Sequence, residues 1–208
     1  NNKFNMTLTI IVLLFLLGLA TGFYSGLLGT GGNIILIPAL DLLFTYYAIE
    51  GNESVKYIIA NSLFTTVFLG FVISYKQHRI NNFYFKEVLI IGIPGMISAY
   101  IISELINSTD WYNKSYFEIL FLILLIVLAL RLFLFNPKEN QFKKTLINKN
   151  KNYLSFISLG LLTGCITSLS GMGGGVILIP FLTDITKISI KRASSISIGV
   201  IMLLAISV

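Results

Sequence analysis

Long uncharged stretches alternate with short polar gaps along this chain. Phe4 to Leu40, Tyr57 to Tyr75, Val88 to Ser103, Ile119 to Leu130, Asn152 to Thr183 and Ala193 to Val208 carry no charged residue. A helix that crosses a membrane needs about 20 mostly apolar residues. The second, third and fourth runs suit one crossing each, with modest extension; Phe4 to Leu40 and Asn152 to Thr183 are too long for one straight span. A helix buried in a soluble protein keeps a polar face, and these runs have almost none. Hydrocarbon offers no water to satisfy backbone groups, so the pattern predicts helices rather than strands. The last run is still apolar at Val208, and further spans are expected after it.

Composition sharpens this. The 208 residues are 55% hydrophobic and 12% charged, with a mean hydropathy of +0.85. A globular domain carries about 25% charged residues, so a soluble or disordered chain is excluded. The net charge is +6, and the lysines and arginines sit in the gaps. Nucleic-acid binding needs a basic patch on a soluble face, and none is expected. Instead, the gaps alternate. Lys76, Arg79 and Lys86 occupy one, and Lys138, Lys143, Lys144, Lys149 and Lys151 another; the gaps around Asp41 and Glu104 are lysine-poor. The positive-inside rule puts 76–86 and 136–152 in the cytoplasm. Counting one crossing per run puts Lys187, Lys191 and Arg192 outside, unless the fifth run folds as a hairpin. Trp111, Tyr112 and Tyr116 fit an interfacial aromatic belt. A single Cys165 and a single His78 offer neither a disulfide framework nor a metal site, and no cofactor is expected.

The two over-long runs resemble each other. Gly18 to Leu40 (GLATGFYSGLLGTGGNIILIPAL) and Gly160 to Leu182 (GLLTGCITSLSGMGGGVILIPFL) agree without gaps at 13 of 23 positions. Ala60-Asn61-Ser62-Leu63 and Ala193-Ser194-Ser195-Ile196 follow at similar distances. The expected organisation is therefore a first half over 1–135, a basic loop over 136–152 and the start of a second half over 153–208. Whether the halves run parallel or inverted stays open at this point.

Each window holds two kinds of glycine. Gly18 and Gly22, like Gly160 and Gly164, are spaced by four, as in close helix packing. Gly29, Gly31 and Gly32, and Gly171, Gly173, Gly174 and Gly175, are too dense for a helix interior, where each costs about 1 kcal/mol relative to alanine. They predict an unwound turn before a half-helix running into Pro38 or Pro180. Free N–H groups and a positive dipole end make such a turn an anion site. Thr21, Ser25, Thr163, Thr167 and Ser170 add nearby hydroxyls; Thr65, Thr66 and Ser197 could add donors from the next helices. The candidate binding residues are the seven turn glycines with Asn33, Asn61, Ser62, Ser194 and Ser195. A serine nucleophile at Ser168 or Ser170 lacks a histidine or lysine base in its run, so no enzyme is expected. No strand precedes Gly29 or Gly171, and no Lys-Ser/Thr follows, which excludes a phosphate-binding loop.

The doubled G-x-x-x-G-x-x-x-x-x-x-G-x-G-G pattern, each copy followed by an apolar stretch and Pro-x-Leu, resembles the sulfite exporter TauE/SafE family of membrane permeases. The Ala-x-Ser-Leu/Ile stretches at Ala60 and Ala193 are similar to that family too. The resemblance implies an all-α, polytopic membrane bundle of two repeated halves with glycine-broken helices, typically about eight spans in all. It also implies transport of a small sulfur-containing or organic anion such as sulfite or a sulfonate, in a cell membrane such as a bacterial inner membrane. Asn33 stands where the second copy has Gly175, and Asn61 where it has Ser194. The alternative is a non-transporting scaffold whose glycines only pack helices. The expected partners are the anion and the lipid bilayer.

Overall fold

A computed structural model describes residues 2–28, 32–47, 52–109, 112–134, 152–186 and 188–208. Among these there are eight helices and no strands: α1 (Asn2–Leu28), α2 (Asn33–Tyr46), α3 (Asn52–Arg79), α4 (Phe85–Ser108), α5 (Lys114–Leu134), α6 (Asn152–Ser170), α7 (Gly175–Thr186) and α8 (Ile190–Ser207). Most of the basic segment 136–152 lies outside the described residues. Among the described residues, four helices are long and apolar enough to cross a membrane: Ser54–Arg79, Phe85–Ser108, Tyr153–Ser170 and Ile190–Ser207. Their outward faces carry large apolar side chains such as Phe64, Phe68, Ile97 and Leu154, as contact with lipid tails requires. This is a multi-pass membrane protein.

The core is built on α4, α6 and α8, which run in one direction. Ile91, Gly95 and Ala99 of α4 face Gly160, Gly164 and Ser168 of α6 in the same order. A methyl group on Gly160 would lie 2.2 Å from Ile91 O, and one on Gly164 2.2 Å from Gly95 O. The two backbones touch there, and only glycine permits it. Ser98 Oγ donates to Leu161 O (2.9 Å) and Ser168 Oγ to Ala99 O (2.7 Å) across the same seam. Gly18 has nothing within 4 Å and Gly22 only Leu69 at 3.9 Å, so their stripe meets no close neighbour.

α8 is clasped at its start by the α3–α4 connection. Arg192 pairs with Glu87 and lies 4.2 Å over the Tyr84 ring, while Ser195 Oγ donates to Asn82 O. Further along, Gly92 meets Leu203, and Ser103 Oγ donates to Val208 O (3.4 Å). α3 runs the other way: its Gly70 meets Met202, and the connection that follows it meets Ser195 and Gly199. Lys191 and Arg192 therefore share a face with Lys76, Arg79 and Lys86. The hairpin alternative for the fifth run is the one observed. α6 and α8 both leave the lysine-rich face, and α7 is the return between them. With 12 residues against 19 in α6, it spans about 18 Å rather than the full bilayer core of about 30 Å.

Tyr112 departs from the aromatic-belt expectation. It is buried in a cluster with Leu36, Ile37, Leu40 and Phe117, and its hydroxyl donates to Leu169 O. Burial pushes that hydroxyl above its ordinary pKa.

Candidate functional site

The chain folds back at each glycine turn. Gly32 (φ 71°) and Gly174 (φ 65°) are both left-handed, a region an L side chain enters only at a cost. Each lies against the preceding helix at equivalent places. A methyl on Gly32 would meet Thr21 O at 2.7 Å and Ser25 Cβ at 3.2 Å; one on Gly174 would meet Thr163 O at 3.0 Å and Thr167 Oγ1 at 2.9 Å. Thr21 and Thr163 hydroxyls donate back to Leu17 O and Leu159 O, each at 2.8 Å. Gly32 O accepts from Ile35 N and Leu36 N, as Gly174 O does from Ile177 N and Leu178 N. The same local structure is thus present 142 positions apart. Gly29 and Gly31 lie outside the described residues.

The two half-helices leave this level in opposite directions. α2 carries Leu36, Ile37 and Leu40 into a cluster with Val55, Ile58, Ile106 and Tyr112, on the lysine-poor side. Asp41 pairs there with Lys114 of α5 (3.3 Å). α7 carries Leu178 and Leu182 into a cluster with Val88, Phe156 and Ile188, on the lysine-rich side. Their N-terminal ends meet. Asn33, the first residue of α2, donates through Nδ2 to Gly171 O (2.6 Å), in the turn before α7, and to Thr66 Oγ1 (2.8 Å). Ser62 Oγ also donates to Gly171 O (3.1 Å), and Thr66 Oγ1 donates to Ser62 O (2.9 Å). Ser197 Oγ of α8 donates to Gly175 O (3.5 Å), and Gly173 packs between Thr66 and Ile201.

The electrostatic consequence is simple. Two helix starts bring partial positive charge to one place, and no side chain caps α2. Among the described residues no group of three or more His, Cys, Asp or Glu could hold a metal ion. Two buried oxygens nearby, Asn33 Oδ1 and Ser25 Oγ, have no hydrogen-bond partner.

Of the candidate residues, the structure brings together Gly32, Asn33, Ser62, Gly171, Gly173, Gly174 and Gly175. It places Asn61, Ser194 and Ser195 apart. Asn61 is exposed and donates to its own helix at Tyr57 O (2.7 Å). Ser195 bonds to Asn82 at the lysine-rich face, with Ser194 beside it. Thr66 takes the place beside the turns that Asn61 was expected to fill. The signal was its spacing of four from Ser62, which puts both on one helix face.

A polytopic helical bundle with broken helices that meet inside it is the architecture of a class of membrane transporters. Comparison with known proteins gives the particular family: residues 14–208 match the sulfite exporter TauE/SafE family, and the chain belongs to it. It is 32% identical over 200 residues to the probable membrane transporter protein MJ0441 of Methanocaldococcus jannaschii, covering 96% of this chain and 71% of that one. A probable membrane transporter protein of Haemophilus influenzae is 30% identical over 199 residues, covering 96% and 72%. The probable membrane transporter protein YunE of Bacillus subtilis is 26% identical over 209 residues, covering 92% and 74%. No solved structure matches the chain.

Proposed function

We propose that this transporter is a permease for a small oxyanion of the sulfite or sulfonate kind. The anion binds between the N-terminal ends of α2 and α7 and crosses by alternating access. One observation carries the reading: the first residue of one half-helix, Asn33 of α2, bonds at Gly171 to the glycine turn that leads into the other, which runs in the opposite direction. Unpaired N–H groups at both starts can share the charge of one anion without a fixed lysine or arginine. A site that holds its ligand by dipoles alone can also release it.

The same reading makes 1–135 and 153–208 related halves in opposite orientation, joined by the basic segment 136–152. α3 and α8, which follow the two glycine turns, run antiparallel. Inverted halves can exchange conformations by rocking about a fixed central site. Gly160 and Gly164 would serve a non-transporting scaffold equally well; the scaffold reading gives the uncapped start of α2 no role. The test is flux of labelled sulfite or a sulfonate into vesicles carrying the protein. Gly32→Leu and Gly174→Leu should each abolish it, and unchanged flux in both overturns the site.

A further inference from the structure

We infer that Asn33 makes the site selective for an oxyanion that carries a hydrogen-bond donor of its own. This rests on the permease reading above and narrows its substrate class. The Asn33 side chain is 1% exposed. An amide nitrogen has two hydrogens, and both are used: one on Thr66 Oγ1 (2.8 Å), one on Gly171 O (2.6 Å). Thr66 spends its own hydrogen on Ser62 O, so its oxygen is free to accept. Gly171 O can only accept. The amide cannot be turned around without setting Oδ1 against a carbonyl oxygen, so its orientation is fixed. Oδ1 is left as a buried acceptor with no partner.

Its place gives that acceptor a purpose. Asn33 opens α2, where the Cα–Cβ bond leans toward the helix start, and its amide reaches across to the turn before α7. Oδ1 therefore lies, unpartnered, beside the contact between the start of α2 and the turn before α7. The first bonds of α2 are Ile35 N and Leu36 N to Gly32 O. The N–H groups of Asn33 and Ile34 precede them and have no acceptor within the helix. One helix end thus offers two donors for anionic oxygens and one acceptor. A ligand that satisfies all three pairs a negative oxygen with an O–H or N–H. A fully aprotic anion leaves Oδ1 unpaired, and unpaired buried groups are what such sites discriminate against. The second turn has Gly175 at the equivalent position, so the acceptor is confined to one side of the site.

Two matched pairs of anions test this: isethionate against ethanesulfonate, and hydrogensulfite against methanesulfonate. Each is used to compete with uptake of labelled isethionate into proteoliposomes of the protein. The donor-bearing member of each pair should compete at least about tenfold better. If all four compete alike, or uptake shows a sodium requirement with no preference among them, the permease reading stands and the role of Asn33 is overturned. If isethionate is not taken up and none of the others is carried, it is the permease reading that fails. Asn33→Gly, which copies the second turn, should bring the ratio close to one; a ratio unchanged in that variant overturns the assignment. The comparison on the unaltered protein holds even if the variant does not fold.

Discussion

A methyl group on Gly174 would lie 2.9 Å from Thr167 Oγ1 and 3.0 Å from Thr163 O, at a backbone angle of φ +65°. Gly18, by contrast, sits in an ordinary helix with nothing within 4 Å. Gly174→Ala should therefore cost about 2 kcal/mol or more, from left-handed strain and overpacking together. Gly18→Ala should be neutral or gain up to about 1 kcal/mol of helix propensity. Thermal unfolding in detergent separates the two. The glycine-dense windows were legible in the sequence because no helix tolerates them. The side chains around them were less so. Asn61 and Ser62 are neighbours in sequence, but one residue turns a helix by about 100°. Ser62 with Thr66 faces the glycine turn, while Asn61 and Thr65 bond back to their own helix. A window that reads residue types without their rotation merges the two faces.

Between elements, close backbone contact and ion pairs hold the arrangement. α4 and α6 meet at Gly160 and Gly164, so Gly164→Leu must drive them apart. We expect a loss of about 3 kcal/mol or failure to insert stably, read as lowered thermal stability. Gly22→Leu, whose site meets only Leu69 at 3.9 Å, should be far milder. At the lysine-rich face, Glu87 and Arg192 tie α4 to α8 while both remain partly exposed. Their coupling should be about 1 kcal/mol. Glu87→Arg and Arg192→Glu should each lower stability, and the double swap should recover most of it. The helices themselves were legible from run length and charge. The fold-back of α7 was visible only as excess length. Hydrophobicity says that a segment is apolar, not which way it runs, and a 12-residue return is as apolar as a full crossing.

For the whole molecule, direction is the property that local sequence hides. Two similar windows look alike whether or not the halves they begin are inverted. Tertiary contact supplies direction: α3 and α8 are antiparallel, and α2 and α7 diverge to opposite faces. Sidedness follows. Cysteines replacing Lys86 and Lys191 in a Cys165→Ser background should react with an impermeant thiol reagent from one side of the membrane. A cysteine at Thr109 should react from the other. Lys191→Cys reacting with Thr109→Cys instead would break this topology. The claim that organises the molecule is that a water-accessible anion site lies where the starts of α2 and α7 meet. Its most direct test is thiol labelling at Asn33→Cys and Asn61→Cys, with and without sulfite. Asn33→Cys should be labelled by a water-soluble reagent and protected by sulfite, and Asn61→Cys should show no protection. An unlabelled Asn33→Cys, or sulfite protection at Asn61→Cys alone, contradicts it.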